Sequence, residues 1–207
     1  MTFSVDFLRA LWGEARLRDE RRVSEVFSMY RDVLHDGCRA TLTEIATEFY
    51  GLRRSKVIAG SEVRRYQQTI EDRYDFEHVG QGQSRIVFRL PDDFRTVEED
   101  LVVKFALSPM DDRDIQDGVI QNETEIHRFE TMPEPARDHL APLVDIDDDA
   151  RWVIMPYAVE ETDKAYCVTL QETFSDYGFE LDLGITANIG WIETDASAEL
   201  VAVDYGF

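Results

Sequence analysis

The apolar positions divide the chain into two styles. Up to about residue 75 the period is helical. Phe3, Phe7, Leu8 and Leu11 recur at three- and four-residue spacing, as do Val23, Val26, Phe27 and Tyr30, then Val33 and Leu34. Thr43 to Phe49 predicts a short helix and Ser61 to Arg73 another, with no proline interrupting the region. At Phe76 the pattern changes. Residues 76–90 alternate, carry valine and isoleucine, and enclose glycines, which predicts a hairpin. Pro91-Asp92-Asp93 predicts a turn, and Leu101 to Ala106 is the short apolar run of a central strand. Gly118 to Thr131 predicts a helix that Met132-Pro133 ends. Leu143 to Ile146 and Trp152 to Met155 flank an acidic turn and predict a second hairpin. Pro156-Tyr157-Ala158 reads as a connector and Glu161 to Tyr177 as a helix. Ile189 to Glu193 and Leu200 to Val203 read as a last hairpin.

Length and hydrophobic content add little. A chain of 207 residues that is 43% hydrophobic suits one compact domain, or one with a small appendage. Charge changes the picture. Forty-three Asp and Glu against 22 Lys and Arg give a net charge of -21. Arginine supplies nearly all the positive charge, because lysine occurs only at Lys56, Lys104 and Lys164. Such acidity repels nucleic acid and anionic membranes. It also looks like the surface of a halophile's protein, where concentrated salt screens self-repulsion, and this solvent reading predicts poor stability at low salt. Aromatic residues at 11% argue against disorder. Cys38 and Cys167 are far apart and lack metal-ligand spacing, which suits a reducing interior. No stretch approaches the roughly 18–20 apolar residues that span a bilayer. The segment Met1 to Asp6 lacks a signal-peptide pattern, so a cytoplasmic protein without a membrane partner is expected.

Several short segments carry candidate chemistry. Gly80-Gln81-Gly82-Gln83-Ser84-Arg85-Ile86-Val87 lies between two strand-like runs, and glycines there would let backbone approach phosphates and tolerate positive φ. The plain alternative is a turn or bulge. Lys104 sits inside an apolar run, where a charge needs a partner or a task. Otherwise it guards a sheet edge. Glu123 and Glu125 open the helix that follows it. Asn188 and Asp204 flank the last hairpin, with Tyr205-Gly206 following. The histidines are scattered, and no Ser-His-Asp set or Gly-x-Ser-x-Gly elbow occurs.

With these motifs in this order, residues 76–207 resemble the protein kinase-like superfamily. They look closest to its short, divergent members from phages, viruses and prokaryotes. The resemblance implies an α+β fold: a kinase-like small lobe with a five-stranded antiparallel sheet and one main helix over 76–158. An N-terminal helical region would precede it (1–75), and a truncated C-terminal lobe would carry the catalytic and metal hairpin (159–207). It implies ATP and Mg2+ as cofactors. Gly80, Gln81, Gly82, Ser84, Arg85 and Val87 would cover the nucleotide, with Met155 and Tyr157 at the adenine. Lys104, paired with Glu125 (Glu123 being the alternative), would position phosphates. Asn188 and Asp204 would hold magnesium, and Asp182 would be the catalytic base. The chain departs from the family's pattern in three places. Arg85 replaces the third glycine of G-x-G-x-x-G-x-V. Asp182 stands six positions before Asn188 instead of five, without the preceding His-Arg. No activation segment follows the final hairpin.

Three functions are therefore weighed. One is an ATP- and magnesium-dependent phosphotransferase of reduced size, with an unidentified phosphoacceptor. The alternative is a pseudokinase, a nucleotide-binding or regulatory module without efficient catalysis. The remote third is a DNA-binding regulator through residues 41–57, which have a flavour of helix-turn-helix with Arg53, Arg54 and Lys56 grouped. The acidity of the surrounding chain argues against that nucleic-acid partner.

Overall fold

A computed structural model describes residues 33–52, 59–109, 117–181, 183, 188–193 and 197–206. The expected N-terminal helices before residue 33 lie outside these residues. So do Arg53, Arg54, Lys56 and Asp182.

The described chain is mixed α and β. Helices α1 (Cys38–Gly51) and α2 (Ala59–Tyr74) precede strands β1 (Glu77–Gln81), β2 (Arg85–Arg89) and β3 (Leu101–Ala106). Then come α3 (Gly118–Thr131), the single turn α4 (Glu134–Arg137), β4 (Asp145–Ile146), β5 (Trp152–Pro156), β6 (Val159–Glu160), α5 (Lys164–Asp176), β7 (Ile189–Glu193) and β8 (Ala198–Ala202). Five strands form one antiparallel sheet in the order β1-β2-β3-β5-β4. β6, β7 and β8 form a smaller one.

β3 is buried along its whole length because it is central and covered on both faces. Leu101, Val103 and Phe105 join Ile86, Phe88, Trp152 and Ile154 in the main core. Leu42, Ile45, Ala46 and Phe49 of α1, with Val63 and Ile70 of α2, close that side. Phe49 is the keystone, its ring 6.0 Å from Phe88, 5.6 Å from Phe105 and edge-on to Tyr66 at 4.7 Å. The opposite face of β3 turns Lys104 toward α3, so side-chain alternation sends apolar residues to one layer and the charge to the other.

α3 begins where Asp117 accepts the Val119 N–H at 2.9 Å and a hydrogen bond from the Tyr50 hydroxyl at 2.9 Å. Its first residue is glycine for a steric reason. A Cβ at Gly118 would stand 2.1 Å from the Ser84 carbonyl oxygen and 2.6 Å from the Leu107 nitrogen. The helix start is thus wedged against the ends of β2 and β3.

Several expectations shift; the strand expected over Leu143 to Ile146 is only Asp145–Ile146, and that expected over Leu200 to Val203 is Ala198–Ala202. Val33 and Leu34 are extended instead of helical: Leu34 bridges Arg95, and Thr96 donates to the Val33 carbonyl at 2.9 Å. Gly37, at φ 84°, separates this extension from α1. α1 starts five residues before Thr43. α5 starts at Lys164, since the Asp163 carboxylate caps it by accepting the Ala165 N–H at 2.9 Å. β5 takes in Pro156 of the expected connector, and after Ala158 comes an unexpected strand, β6, whose two residues pair with Trp191 and Gly190 and enlarge the last hairpin to three strands. A two-residue strand has too few positions to show a period.

Candidate functional site

The last hairpin is tied to the rest of the chain through its ends. Ala202 donates to the His139 carbonyl and accepts from Ala141, both at 2.9 Å. The buried Tyr205 ring then sends its hydroxyl to the Ala141 carbonyl at 2.9 Å. At Gly206 a Cβ would meet the Gln121 carbonyl oxygen at 2.6 Å, so the chain after β8 lies directly on α3. These contacts carry residues 203–205 to the charged face of β3.

There a compact ionic cluster forms. Lys104 Nζ stands 3.0 Å from Glu125 Oε1 and also donates to the Val203 carbonyl. Glu125 Oε1 accepts the Tyr205 N–H at 3.2 Å. Arg85, at the start of β2, points to the same face: its Nη1 is 2.8 Å from Glu125 Oε2, and its Nη2 pairs with Asp204 Oδ1. Asn122 steadies the guanidinium through Oδ1 at 3.4 Å, while its own Nδ2 donates to the Ala150 carbonyl at 2.9 Å. Arg128 donates to the Tyr205 carbonyl. Glu125 is fully buried, Arg85 and Lys104 nearly so, and the Asp204 side chain remains 26% exposed.

Burial and charge set the protonation of this group. Desolvation outweighs the pull of Glu125 and lowers the Lys104 pKa, with the neighbouring Arg85 adding to the effect. Desolvation also opposes the Arg85 charge, but Glu125 and Asp204 together raise its pKa above the ordinary value. Asp204 is penalised by burial, yet Arg85 and Lys104 hold its pKa below the usual carboxylate range. Arg128 is lowered, chiefly by desolvation.

The structure brings Lys104, Glu125, Arg85 and Asp204 into one site and selects Glu125 over Glu123 as the lysine's partner. Asn188 arrives beside them: its carbonyl accepts from Val203 at 2.8 Å and from Asp204 at 3.5 Å. Met155 is buried in β5, on the β3-facing ladder opposite Val102. Tyr157 carries the Arg89 guanidinium 4.1 Å over its ring and donates its N–H to Asp100 at 2.8 Å. Val87 pairs across from Lys104. Ser84 is buried and donates to Gln121 Oε1 at 2.7 Å.

Gly80 lies in β1 after a bulge, and Gly82 closes the loop by donating to the Arg85 carbonyl at 2.9 Å; neither has positive φ. Gln81 is the exposed end of β1. Sequence reasoning passed over Arg128 and gave no role of their own to Asn122 and Tyr205. Asn122 is the one with a signal, being a polar residue on the apolar side of an amphipathic helix, next to Phe129 and Glu125.

Magnesium asks for hard oxygen ligands in a near-octahedral array. The Asp204 carboxylate is engaged by Arg85. Among the described residues, no group of three or more His, Cys, Asp or Glu side chains is placed to share an ion. Asp204 gives Oδ1 to Arg85, and Asn188 meets Asp204 through its backbone carbonyl.

A hollow on α5, lined by Val168, Gln171, Glu172, Ser175 and Asp176, shares no residue with the cluster and offers carboxylates without a cation. α1 turns its apolar face to the sheet, and Thr43 and Thr47 are used by Trp152, Asp147 and Arg151. Among the described residues, no helix is long and apolar enough to cross a membrane. Against known proteins, no family model matches the chain and no curated protein matches it.

Proposed function

We propose that this chain is a reduced kinase-like module that binds a nucleotide and works by regulation or interaction, without efficient phosphoryl transfer. One observation carries the reading: the lysine of the central strand is paired with the helix glutamate on the face where the final hairpin ends. A buried lysine is costly unless it is paired, and in a chain with three lysines this one is paired with Glu125 and the Val203 carbonyl, at a position where burial lowers its pKa. The Arg85–Asp204 pair argues against an assembled transfer site, because it occupies the carboxylate that the metal would need.

The test is a thermal-shift titration with ATP on the wild type and on Lys104→Met, in concentrated salt. A wild-type shift that the variant loses supports the reading. No shift in the wild type, with or without magnesium, sinks it.

A second reading, the ATP- and magnesium-dependent phosphotransferase, draws on the meeting of Asn188 and Asp204 at one end of the hairpin. It requires Arg85 to release Asp204, and it assigns the proton-accepting role to Asp182. Steady ATP turnover with magnesium, abolished in Asp182→Ala, would establish it over the first.

A further inference from the structure

The smaller sheet carries an exposed aromatic face that shares no residue with the ionic cluster. Val159 and Leu200 are the cross-strand neighbours of Trp191 on either side, so three apolar side chains stand in a row on one face of β6, β7 and β8. Tyr166, in the first turn of α5, meets the Trp191 ring edge to face at 5.4 Å and 83°. Val159 is 49% exposed and Tyr166 39%, and Trp191 and Leu200 are half-buried. We infer that this face docks a basic, extended segment of a partner protein, with an arginine of that segment laid against Trp191 and Tyr166. The inference is independent of the nucleotide-binding reading.

Aromatic geometry is the first argument. The indole is fixed in place: Trp191 Nε1 donates to Glu161 Oε2 at 2.6 Å, and Glu161 Oε1 accepts the Asp163 N–H at 2.7 Å. Tyr166 is set from the same turn, its N–H donating to the Asp163 carbonyl at 3.1 Å. An edge-to-face contact uses at most one π face of the pair. A guanidinium stacks on such a face, while its alkyl stem lies along apolar surface such as Val159. The carboxylate on the indole edge adds to the attraction. Glu161 is held charged, because the Asp163 N–H and the indole N–H keep its pKa below the usual carboxylate range.

Charge is the second argument, and it chooses the occupant. Residues 1–75 hold 13 acidic and 13 basic side chains, so the whole net charge falls after them. Beyond residue 151, Lys164 is the one Lys or Arg against 11 Asp and Glu. Glu160 and Glu193 are exposed beside the aromatic row, Glu193 on the same face of β7 as Trp191. A second copy of the chain would set these carboxylates against themselves, and nucleic acid and anionic lipid share their sign. Adaptation to salt accounts for the carboxylates but sets no aromatic ring among them.

Backbone is the third argument. Among the described residues no strand lies beyond β6, and Val159 and Glu160 are both exposed. The Glu161 N–H bonds to the Ile189 carbonyl, so antiparallel alternation turns the Val159 N–H and C=O toward β7 and those of Glu160 outward. A segment that adds to this edge places every second side chain on the Trp191 face.

The experiment is fluorescence anisotropy of a short labelled peptide of alternating arginine and threonine, titrated with the full chain in concentrated KCl, where long-range attraction is screened. The same peptide with citrulline for arginine keeps the shape and removes the charge. The expected result is binding of the arginine peptide, weakened at least about tenfold by citrulline. Trp191→Leu and Tyr166→Leu should each weaken it by about threefold or more at an unchanged unfolding midpoint. Asp148→Asn with Asp149→Asn, in the turn before β5 of the other sheet, should leave it unchanged. Should Trp191→Leu fail to fold, the exposed Tyr166 carries the comparison.

Equal binding of the citrulline peptide would overturn the inference. Binding that survives both aromatic substitutions would overturn it too, as charge attraction alone. A dimer in sedimentation that Trp191→Leu dissolves would put a second copy on this face and overturn it. Absence of peptide binding would overturn it and leave the nucleotide reading standing.

Discussion

Lys104 Nζ lies 3.0 Å from Glu125 Oε1, an oxygen that also receives the Tyr205 N–H. One buried carboxylate therefore fastens the central strand, the main helix and the segment after the last strand. These parts are distant in sequence, so the pair contributes to the tertiary arrangement as well as to any ligand chemistry.

The two partners should respond unequally to substitution. Glu125→Gln removes the anion that faces both Arg85 and Lys104 and leaves two buried cations side by side. Breaking a buried pair in this way costs about 3–5 kcal/mol. Lys104→Met should cost less, about 1–2 kcal/mol, because burial already disfavours the lysine charge and Arg85 remains to serve Glu125. Urea unfolding midpoints of the two variants give the comparison. A larger loss for Lys104→Met would contradict the assignment of Glu125 as the hub.

Acid should release the Asp204 contact. Its folded-state pKa lies below the 3.8 of an unperturbed carboxyl. The folded state therefore binds that proton less readily than the unfolded chain does. The resulting stability is fully present above about pH 5 and is lost as pH falls through 3.8 toward the lower folded value. The stability difference between the wild type and Asp204→Asn should be constant from neutral pH to about pH 5 and should shrink below it. A difference that grows on acidification would mean that Asp204 is not held charged by Arg85 and Lys104.

Much of this arrangement was legible in the sequence, for identifiable reasons. The apolar run around Lys104 predicted a central strand because β3 is covered on both faces, and such strands show no alternation. Gly118 to Thr131 was readable to the residue, since Asp117 caps one end and Met132-Pro133 stops the other. The approach of Asp204 to Lys104 came from the kinase-like resemblance, not from any period or spacing in the residues. The role of Arg85 was not legible. An arginine after two glycines reads as a loop residue facing solvent or a ligand, and only the pairing of Arg85 with Ala106 shows it already inside the sheet. The turn of Val33 and Leu34 away from helix was hidden as well, because two apolar neighbours fit either period.

Glycines separate structural need from ligand need. Gly118→Ala would drive a methyl group to 2.1 Å from the Ser84 carbonyl, and Gly206→Ala to 2.6 Å from that of Gln121. Both neighbours are backbone and cannot rotate aside, so each substitution should cost about 1–3 kcal/mol or more. Gly80 has nothing within 4 Å of a built Cβ, and Gly82 has only the Arg85 carbonyl at 3.9 Å. Gly80→Ala and Gly82→Ala should leave stability within about 1 kcal/mol of the wild type. If the loop covers a nucleotide, these two variants lose ATP affinity while keeping the unfolding midpoint. Unchanged affinity in both would remove the loop from the proposed site.

Salt should stabilise the whole chain without touching the buried cluster. The net charge is -21, and among the described residues acidic side chains such as Asp92, Asp93, Asp148 and Asp149 are exposed. Their mutual repulsion acts over a screening length of about 10 Å at 0.1 M salt and about 3 Å at 1 M. Raising KCl from 0.1 M to 1 M should therefore lift the thermal midpoint, by about 5–10 °C if the relief amounts to about 2–3 kcal/mol. Glu125 and Lys104 are shielded from the ions, so the penalty of Glu125→Gln should stay the same at both concentrations. A midpoint that is flat or falls with KCl would mean that self-repulsion does not limit this fold. A Glu125→Gln penalty that fades in salt would place that carboxylate in contact with solvent.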